Sequence, residues 1–208
     1  MNYPILEKYF PGLTAEQKRQ FDTLSDLYTN WNTMINVISR KDIDNLYERH
    51  IQHSLGIACF IRFTEDTHIM DAGTGGGFPG IPIAILFPAV KFHLIDSTGK
   101  KIKVAQSVVD TLGLKNVTTR HCRIEDEKDV FDFVVSRAVM TLSELAKIVR
   151  KNIKKDHRNA LPNGVICLKG GDVNKETTPF GKNCIVTELN EYFEEPYFET
   201  KKLIYVPL

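Results

Sequence analysis

Cysteine and long apolar runs are both scarce in this chain of 208 residues. The cysteines, which form no Cys-x-x-Cys pair, are Cys59, Cys122, Cys167 and Cys184. Their wide spacing argues against a zinc site or a disulfide framework and predicts buried, reduced thiols. No apolar stretch approaches the length of a membrane span, and the first residues lack a basic start followed by an apolar stretch. We therefore expect no membrane segment, no secretory signal and a cytoplasmic protein.

A large net charge is also lacking, because 27 Lys and Arg residues nearly balance 26 Asp and Glu residues. The charges are nevertheless unevenly distributed. Basic side chains dominate from Lys147 to Arg158, whereas glutamates dominate the C-terminal tail. A basic run is most often a solvated helix face. If the partner is a polyphosphate, the same run becomes a candidate binding surface.

Residue patterns for nucleophilic or metal-dependent catalysis are missing too. The chain shows no Ser-His-Asp arrangement, no paired His/Cys spacing typical of metal ligands and no Asn-Pro-Pro-Tyr motif. What the sequence does contain is a clear division into two patterns. Residues 1–66 read as helical, and residues 67–208 alternate between strands and helices.

The helical part begins with Thr14 and Gln17, whose spacing is that of a capping box. Apolar residues then recur at helical spacing and predict one buried stripe: Phe21, Leu24, Leu27 or Tyr28, and Trp31. A second helical segment is predicted from about Asp42 to Phe63. Because no Pro/Gly/Ser-rich linker follows, we expect an N-terminal helical cap on one domain of 208 residues rather than an independent unit.

From His68 onward the chain predicts an α/β core. Five strands are predicted at HIMDA (68–72), KFHLID (91–96), VTTRH (117–121), FDFVVSRA (131–138) and GVICLKG (164–170). Helices are predicted over 79–87, 98–113 and 141–154, and two closing strands, compatible with antiparallel pairing, at 184–189 and 201–206. Repeated β-α-β units predict a mostly parallel, doubly wound, Rossmann-like sheet. Ligands of such sheets bind at the carboxyl ends of the strands.

A glycine-rich loop follows the first strand, in the order Asp71-Ala-Gly-Thr-Gly-Gly-Gly-Phe-Pro-Gly80. Its second half also fits Gly-x-Gly-x-x-Gly, the dinucleotide fingerprint. Two features argue against a nicotinamide cofactor. Asp71 would repel a pyrophosphate but attract a cationic methionine group, and Pro79 and Pro82 shorten the helix that would hold phosphate.

Asp96 ends the second strand about 20 residues beyond the loop, where a carboxylate is expected to hold the two hydroxyls of a ribose. The loop, the following helix and this aspartate together favour S-adenosylmethionine as the ligand. An NAD-dependent oxidoreductase stays open as an alternative at this point.

Several segments resemble one known family. In order they are DAGTGGGFPGIPIAI, LIDSTGKKI, LGLKNV, RIEDE, SRAV and CLKGG, with WNTMINVISRKDIDNLYERHIQHSL upstream. They resemble the bacterial small-subunit ribosomal RNA guanine-N7 methyltransferase G family, also called glucose-inhibited division protein B. The loop GTGGGFPGIP is far more specific than a general methyltransferase glycine motif.

The resemblance implies that S-adenosylmethionine is the cofactor and that a defined set of residues holds it. The set is Gly73, Thr74, Gly75, Gly77, Phe78, Asp96, Ile124, Glu125 and Arg137. Asp96 would bind the ribose, while Ile124 and Glu125 would contact the adenine end. Arg137, with Arg123 as a second candidate, would orient substrate and cofactor, and Lys169 lies on the same edge. No general base is expected, because guanine N7 carries a lone pair and no proton.

The chain also departs from the family pattern. His53 stands where the family more often has an aspartate, and the segment 154–164 is longer and more basic than usual. The match is weak over the C-terminal forty residues, and the resemblance implies no role for them.

The resemblance implies 16S ribosomal RNA or the small ribosomal subunit as the partner, and we expect a monomer without a metal or a membrane partner. Candidate RNA contacts are Arg40, Lys41, Arg49, His50, Lys100, Lys101 and the run 147–158. His50 and His53 would more often pack or cap, and Arg137 could instead form an ion pair with Asp71 or Glu125. A methyltransferase of another substrate and a non-catalytic RNA-binding module also stay open.

Overall fold

The structure of the protein is a computed structural model that describes residues 4–39, 42–137 and 139–208. Arg40 and Lys41, two of the predicted RNA contacts, lie outside the described residues, as does Ala138 at the end of a predicted strand. Among the described segments, no helix is both long and apolar enough to cross a membrane.

A seven-stranded sheet forms the centre of the molecule. Its strands are β1 (His68–Ala72), β2 (Lys91–Asp96), β3 (Val117–His121), β4 (Phe133–Arg137), β5 (Gly164–Gly170), β6 (Ile185–Glu188) and β7 (Lys201–Pro207). The order is β3-β2-β1-β4-β5-β7-β6, with β1 to β5 parallel and β7 antiparallel to both β5 and β6. The predicted doubly wound sheet and its antiparallel closing strands are confirmed.

Helices cover both faces of this sheet. They are α1 (Pro4–Tyr9), α2 (Ala15–Met34), α3 (His53–Phe60), α4 (Gly80–Leu86), α5 (Gly99–Leu112), α6 (Leu142–Val149) and α7 (Asn174–Thr177). Neighbouring residues of one strand belong to different hydrophobic clusters, as Ile69 and Met70 do. Because successive side chains of a strand point to opposite faces, the two clusters are the cores on the two sides of the sheet.

The predicted capping box of α2 is present. The Thr14 hydroxyl accepts a hydrogen bond from the Gln17 N–H at 3.2 Å, and the Gln17 side chain accepts one from the Thr14 N–H at 2.9 Å. Phe21, Leu24 and Tyr28 form the buried stripe of the helix, while Leu27 and Trp31 are half-buried. The cap thus fixes where the helix begins, and the stripe fixes which face it buries.

The second predicted helical segment is composite rather than continuous. It consists of a 3₁₀ turn (Ile43–Asn45), a π-helical turn (Tyr47–Gln52) and α3, which ends at Phe60 instead of the predicted Phe63. The backbone at Ile61 is extended, and this ends the helix. Sequence periodicity detects helical character but does not distinguish these hydrogen-bonding patterns.

The predicted strand that starts at Phe131 and the predicted helix that ends at Lys154 are both shorter than expected. Backbone hydrogen bonds join Phe131 to the segment 152–154 and replace the regular strand and helix there. The Phe131 N–H donates to the Asn152 carbonyl at 2.8 Å, and the Lys154 N–H donates to the Phe131 carbonyl at 2.9 Å. The first two residues of the predicted strand 131–138 therefore precede β4, and the helix predicted to reach residue 154 ends as α6 with a 3₁₀ turn to Asn152.

The prediction for the cysteines is only partly correct. All four are free thiols, but only Cys167 is buried, and the other three are half-buried. Apolar neighbours in sequence were a poor guide to burial, because these residues lie near the ends of elements where solvent reaches the side chain.

The helical segment and the sheet share one hydrophobic core. Polar side chains of α2 also bind backbone groups of the sheet domain. The Gln17 amide donates to the Ile85 carbonyl at 3.0 Å, and the Gln20 amide donates to the Leu112 carbonyl at 3.1 Å. These contacts hold the first half of α2 against the carboxyl ends of α4 and α5.

Candidate functional site

A cavity of about 660 Å³ opens at the carboxyl ends of β1, β2 and β4, within the size range of small-molecule sites. Its walls include all but one of the residues predicted to hold the cofactor: Gly73, Thr74, Gly75, Phe78, Asp96, Ile124, Glu125 and Arg137, together with Arg123. Gly77 does not line it. Residues that sequence reasoning did not assign to the cofactor also contribute: Val37, Gly76, Ser97, Thr98, Lys101, Val139 and Met140.

The start of the loop after β1 is held by backbone hydrogen bonds to β2. The N–H groups of Gly73 and Thr74 both donate to the Ile95 carbonyl at 2.9 Å. Gly73 has a φ of +71°, and a Cβ there would lie 2.4 Å from a Val139 methyl. Gly77 has a φ of +111°, and its Cβ would clash with Ile81 at 2.3 Å. Gly77 therefore serves the packing of the turn against α4, which is why it lies behind the cavity wall.

Asp71 lies behind this loop rather than facing a ligand. Its carboxylate is fully buried, and one oxygen accepts hydrogen bonds from the Thr74 hydroxyl at 2.6 Å and the Gly80 N–H at 2.8 Å. Burial raises the pKa of this carboxyl to about 7. Asp71 does not line the cavity, so its attraction for a cationic ligand stays a prediction, while the side chain ties the loop to the start of α4.

Asp96 ends β2 with its carboxylate at the cavity wall. One oxygen accepts from the Gly75 N–H at 2.9 Å and the other from the Thr98 N–H at 2.7 Å. An ionised carboxylate offers about four lone-pair sites, so acceptor positions remain for the two hydroxyls of a ribose. The glycine turn beside it presents no side chain at Gly75, where a Cβ would meet no atom within 4 Å.

The loop after β3 supplies the wall opposite the glycine turn. A 3₁₀ turn (Ile124–Asp126) buries the Ile124 side chain, while Arg123 and Glu125 stand exposed at the rim. An apolar wall with a polar rim suits a flat heteroaromatic group such as adenine. Together with Asp96 and the side-chain-free turn, these residues fit S-adenosylmethionine.

Arg137 ends β4 and is held without an acidic partner. One terminal nitrogen lies 3.0 Å from Nδ1 of His50, and the guanidinium carbon lies 5.2 Å from the centre of the Phe78 ring. Since arginine can only donate, His50 Nδ1 is the acceptor and the imidazole is neutral. Burial and the Arg137 charge lower the pKa of His50 to about 4, in agreement with this assignment. The alternative of an ion pair with Asp71 or Glu125 is wrong for the described residues.

A second cavity of about 670 Å³ adjoins the first along Arg137, Val139 and Met140. His53 lines it and is buried and neutral, since burial and the Arg137 charge lower the pKa of His53 to about 3. The packing role favoured for His53 is confirmed by its edge-on contacts with Tyr197 and Phe198.

Two lining residues of the second cavity, Tyr197 and Lys201, come from the C-terminal segment and were missed by sequence reasoning. The predicted strand at 201–206 was the feature of the sequence that could have indicated the position of Lys201. Antiparallel pairing of that strand with β5 brings Lys201 opposite Gly170, at the carboxyl edge where the ligands bind.

The basic run from Lys147 to Arg158 is divided between the two edges of the sheet. The Lys154 ammonium pairs with Asp132 at 2.9 Å, and Arg158 donates to the Asp66 carbonyl at 3.0 Å. Asp132 precedes β4, so these two cations lie at the amino edge of the sheet. Lys151 instead donates to the Glu125 carbonyl, behind the cofactor cavity.

Comparison with known proteins shows the family of the chain. The family model described as rRNA small subunit methyltransferase G matches residues 17–203. A protein of Phocaeicola vulgatus named ribosomal RNA small subunit methyltransferase G is 62% identical over 204 residues, covering 98% of each chain. A protein of the same name from Parabacteroides distasonis is 62% identical over 206 residues, covering 99% of this chain and 90% of that protein.

Among solved structures, a SAM dependent methyltransferase from Aquifex aeolicus superposes with a TM-score of 0.56 at 17% identity, covering 81% of this chain and 98% of that chain. At this identity the likeness speaks for the fold alone, and it confirms the predicted Rossmann-like class. The family match is with methyltransferases, so the alternative of an NAD-dependent oxidoreductase is wrong. The chain belongs to the rRNA small subunit methyltransferase G family of S-adenosylmethionine-dependent enzymes.

Proposed function

We propose that the protein transfers a methyl group from S-adenosylmethionine to N7 of a guanine in the 16S RNA of the small ribosomal subunit. The observation that carries the proposal is the junction of two cavities at Arg137, one fitted to the cofactor and the other lined by cations, in a chain of this family. The proposal includes action as a monomer in the cytoplasm and without a metal ion.

The residues around the first cavity would bind and orient the cofactor. When bound, S-adenosylmethionine supplies a methyl group activated by its sulfonium. Asp96 would hold the ribose hydroxyls, and Ile124 would lie against the adenine. Phe78, which is 3% exposed, closes the cavity beneath Arg137 and keeps water from this part of the site.

Orientation and exclusion of water are what this reaction requires of the protein. Guanine N7 has an in-plane lone pair and no proton, so no side chain needs to act as a base. Holding two reactants in line can supply about 7–11 kcal/mol of the barrier in favourable cases. Arg137 is suited to the task, because its planar fork can donate to guanine O6 and to a phosphate while His50 and Phe78 fix its plane.

RNA would meet this site where it is unpaired or distorted. In an A-form helix, N7 faces a deep and narrow groove that side chains cannot enter. Arg49, His50 and Lys101, three of the predicted RNA contacts, do line one of the two cavities. His50, however, is committed to Arg137, so its part is to position the arginine.

The experiment is incubation of the protein with labelled S-adenosylmethionine and small ribosomal subunits from a strain that lacks this methylation. We expect label in 16S RNA at one guanine, detected by chemical cleavage of the RNA at N7-methylguanine. Label on protein or on small molecules, with none on RNA, would contradict the proposal. RNA binding without any label would instead support the non-catalytic alternative.

Arg137→Ala tests the assigned role. Loss of the oriented guanidinium should lower the methylation rate by about 10²-fold, the typical cost of a misplaced reacting group. Arg123→Ala provides the matched control, because Arg123 lines the same cavity but is exposed and should affect the rate far less. Normal methylation and normal cofactor affinity in the Arg137 variant would refute the role.

A further inference from the structure

The charges that line the second cavity do not cancel. Its two described carboxylates are both engaged, since Asp42 pairs with Arg49 at 2.7 Å and Glu176 pairs with Lys169 at 2.9 Å. Each of these pairs is neutral as a whole. No other acidic side chain lines the cavity among the described residues.

Two cations therefore face the cavity without an ion-pair partner in the described chain, namely Arg137 and Lys201. The Lys201 ammonium lies 4.5 Å from the centre of the Tyr197 ring, a cation–π contact that leaves its charge uncompensated. Arg137 is half-buried and donates to a neutral imidazole. Two like charges at one cavity repel each other, and an anion between them would remove that repulsion.

His53 lines the same cavity as both cations. The side chain is 5% exposed and its Nε2 has no hydrogen-bond partner among the described residues. A buried polar atom without a partner costs about 1–3 kcal/mol unless a ligand or water satisfies it. Among the described residues, the cavity wall thus holds two cations without an ion-pair partner and one buried polar atom without a hydrogen-bond partner.

We propose that Lys201 and Arg137 together bind a backbone phosphate of the RNA at the nucleotide to be methylated. This inference rests on the proposed function and adds to it the C-terminal segment from Tyr197 to Lys201 as a substrate contact. A phosphate suits the pair because charge-assisted hydrogen bonds from Arg and Lys are short and strong. Arg137 also borders the cofactor cavity, where the methyl group would be transferred. A phosphate bound by Arg137 would therefore lie near the reacting base, as the base and phosphate of one nucleotide do.

The salt dependence of binding to small ribosomal subunits tests the phosphate contact. Lys201→Gln should weaken binding several-fold and reduce the slope of log K against log salt by about one, the effect of losing one phosphate contact. Lys201→Arg should retain most of the slope. Lys202→Gln is the matched control, because Lys202 is the next residue of β7 but pairs with Glu188 on β6. An unchanged slope in Lys201→Gln would overturn the proposal.

A second measurement does not depend on methyl transfer. We expect the wild-type protein, loaded with S-adenosylhomocysteine, to bind guanosine 5′-monophosphate more tightly than guanosine in an NMR titration. Lys201→Gln should reduce this preference several-fold, with Arg137 keeping the remainder, and Lys202→Gln should behave as wild type. Equal affinities in the wild-type protein would overturn the phosphate site. Failure of the wild-type protein to label ribosomal RNA would instead contradict the proposed function alone.

Discussion

At the scale of single residues, Asp71 shows how burial changes the role of a carboxylate. Its position before the glycine loop suggests an electrostatic contact with the cofactor, yet its bonds go to Thr74 and Gly80. We expect Asp71→Asn to be tolerated, because the amide oxygen can accept the same two hydrogen bonds. Its NH₂ group would replace the carboxylate oxygen that has no partner among the described residues. Asp71→Leu should destabilise the protein by about 1–3 kcal/mol for each donor left unsatisfied.

Calorimetry with two ligands separates this structural role from charge attraction. S-adenosylmethionine carries a positive sulfonium, whereas S-adenosylhomocysteine is otherwise similar and lacks it. We expect Asp71→Asn to change both affinities equally. A selective loss of affinity for S-adenosylmethionine would show that the carboxylate acts on the sulfonium charge across the loop.

His53 gives a prediction about pH. Its folded-state pKa of about 3 lies below the ordinary value of 6.5, so the unfolded chain binds the proton more readily. The contribution of His53 to stability is complete above pH 6.5 and is lost as the pH falls toward 3. At pH 5 the loss amounts to about 2 kcal/mol.

Chemical denaturation of the wild type and of His53→Gln at pH 7 and pH 5 measures this effect. The difference in unfolding free energy between the two proteins should shift by about 2 kcal/mol in favour of the variant at pH 5. Other groups, including Asp71 with its raised pKa, cancel in this difference. A difference that does not change with pH would mean that the His53 ring is protonated or exposed in the folded protein.

At the scale of elements, most strands of the core were predictable because they are short apolar runs between turn signals, and β3 was predictable from its β-branched Val and Thr residues. The predicted bounds of β1, β2, β3 and β5 agree with the structure. Helix α5 was also predictable, since its apolar residues share one face and Gly113, with a φ of +67°, ends it. These features are local, and local sequence determines them.

The sequence did not predict those residues of the site that come from segments far from the glycine loop in the chain. The residues of the glycine loop follow a motif, but Val37 reaches the same cavity from the turn after α2, and Lys201 reaches the second cavity from β7. Their placement depends on how α2 packs and on the antiparallel return of β7. For the same reason the sequence did not show that the basic run spans both edges of the sheet: Lys147 and Lys151 lie near Glu125, whereas Lys154 and Arg158 lie at the far edge.

Helix α2 contributes directly to the cofactor loop through Tyr28. Its hydroxyl donates to the Gly76 carbonyl at 2.8 Å, and its ring packs against Phe78. Tyr28→Phe keeps the ring but leaves a buried carbonyl without its donor. We expect a loss of about 1–3 kcal/mol in unfolding free energy and weaker binding of S-adenosylhomocysteine.

Tyr47→Phe is the matched control for this prediction. The Tyr47 hydroxyl donates to the Phe21 carbonyl at 2.7 Å, within the helical segment and away from the loop. Both variants should lose similar stability in denaturation, but only Tyr28→Phe should lose cofactor affinity in calorimetry. Equal affinities for the two variants would mean that α2 supports the fold without shaping the cavity.

At the scale of the whole molecule, the helical segment and the sheet share a core, and we expect them to unfold as one unit. Trp31 is the sole tryptophan of the chain, and its indole N–H donates to the Ser107 hydroxyl on α5 at 3.2 Å. Its fluorescence therefore reports the contact between α2 and the sheet domain, while circular dichroism reports all helices. The two denaturation curves should coincide, and S-adenosylhomocysteine should shift both equally because it binds the folded state. Ser107→Ala should move both midpoints together. A Trp31 transition that precedes the loss of helix signal would show that the N-terminal segment detaches first, as a separate unit.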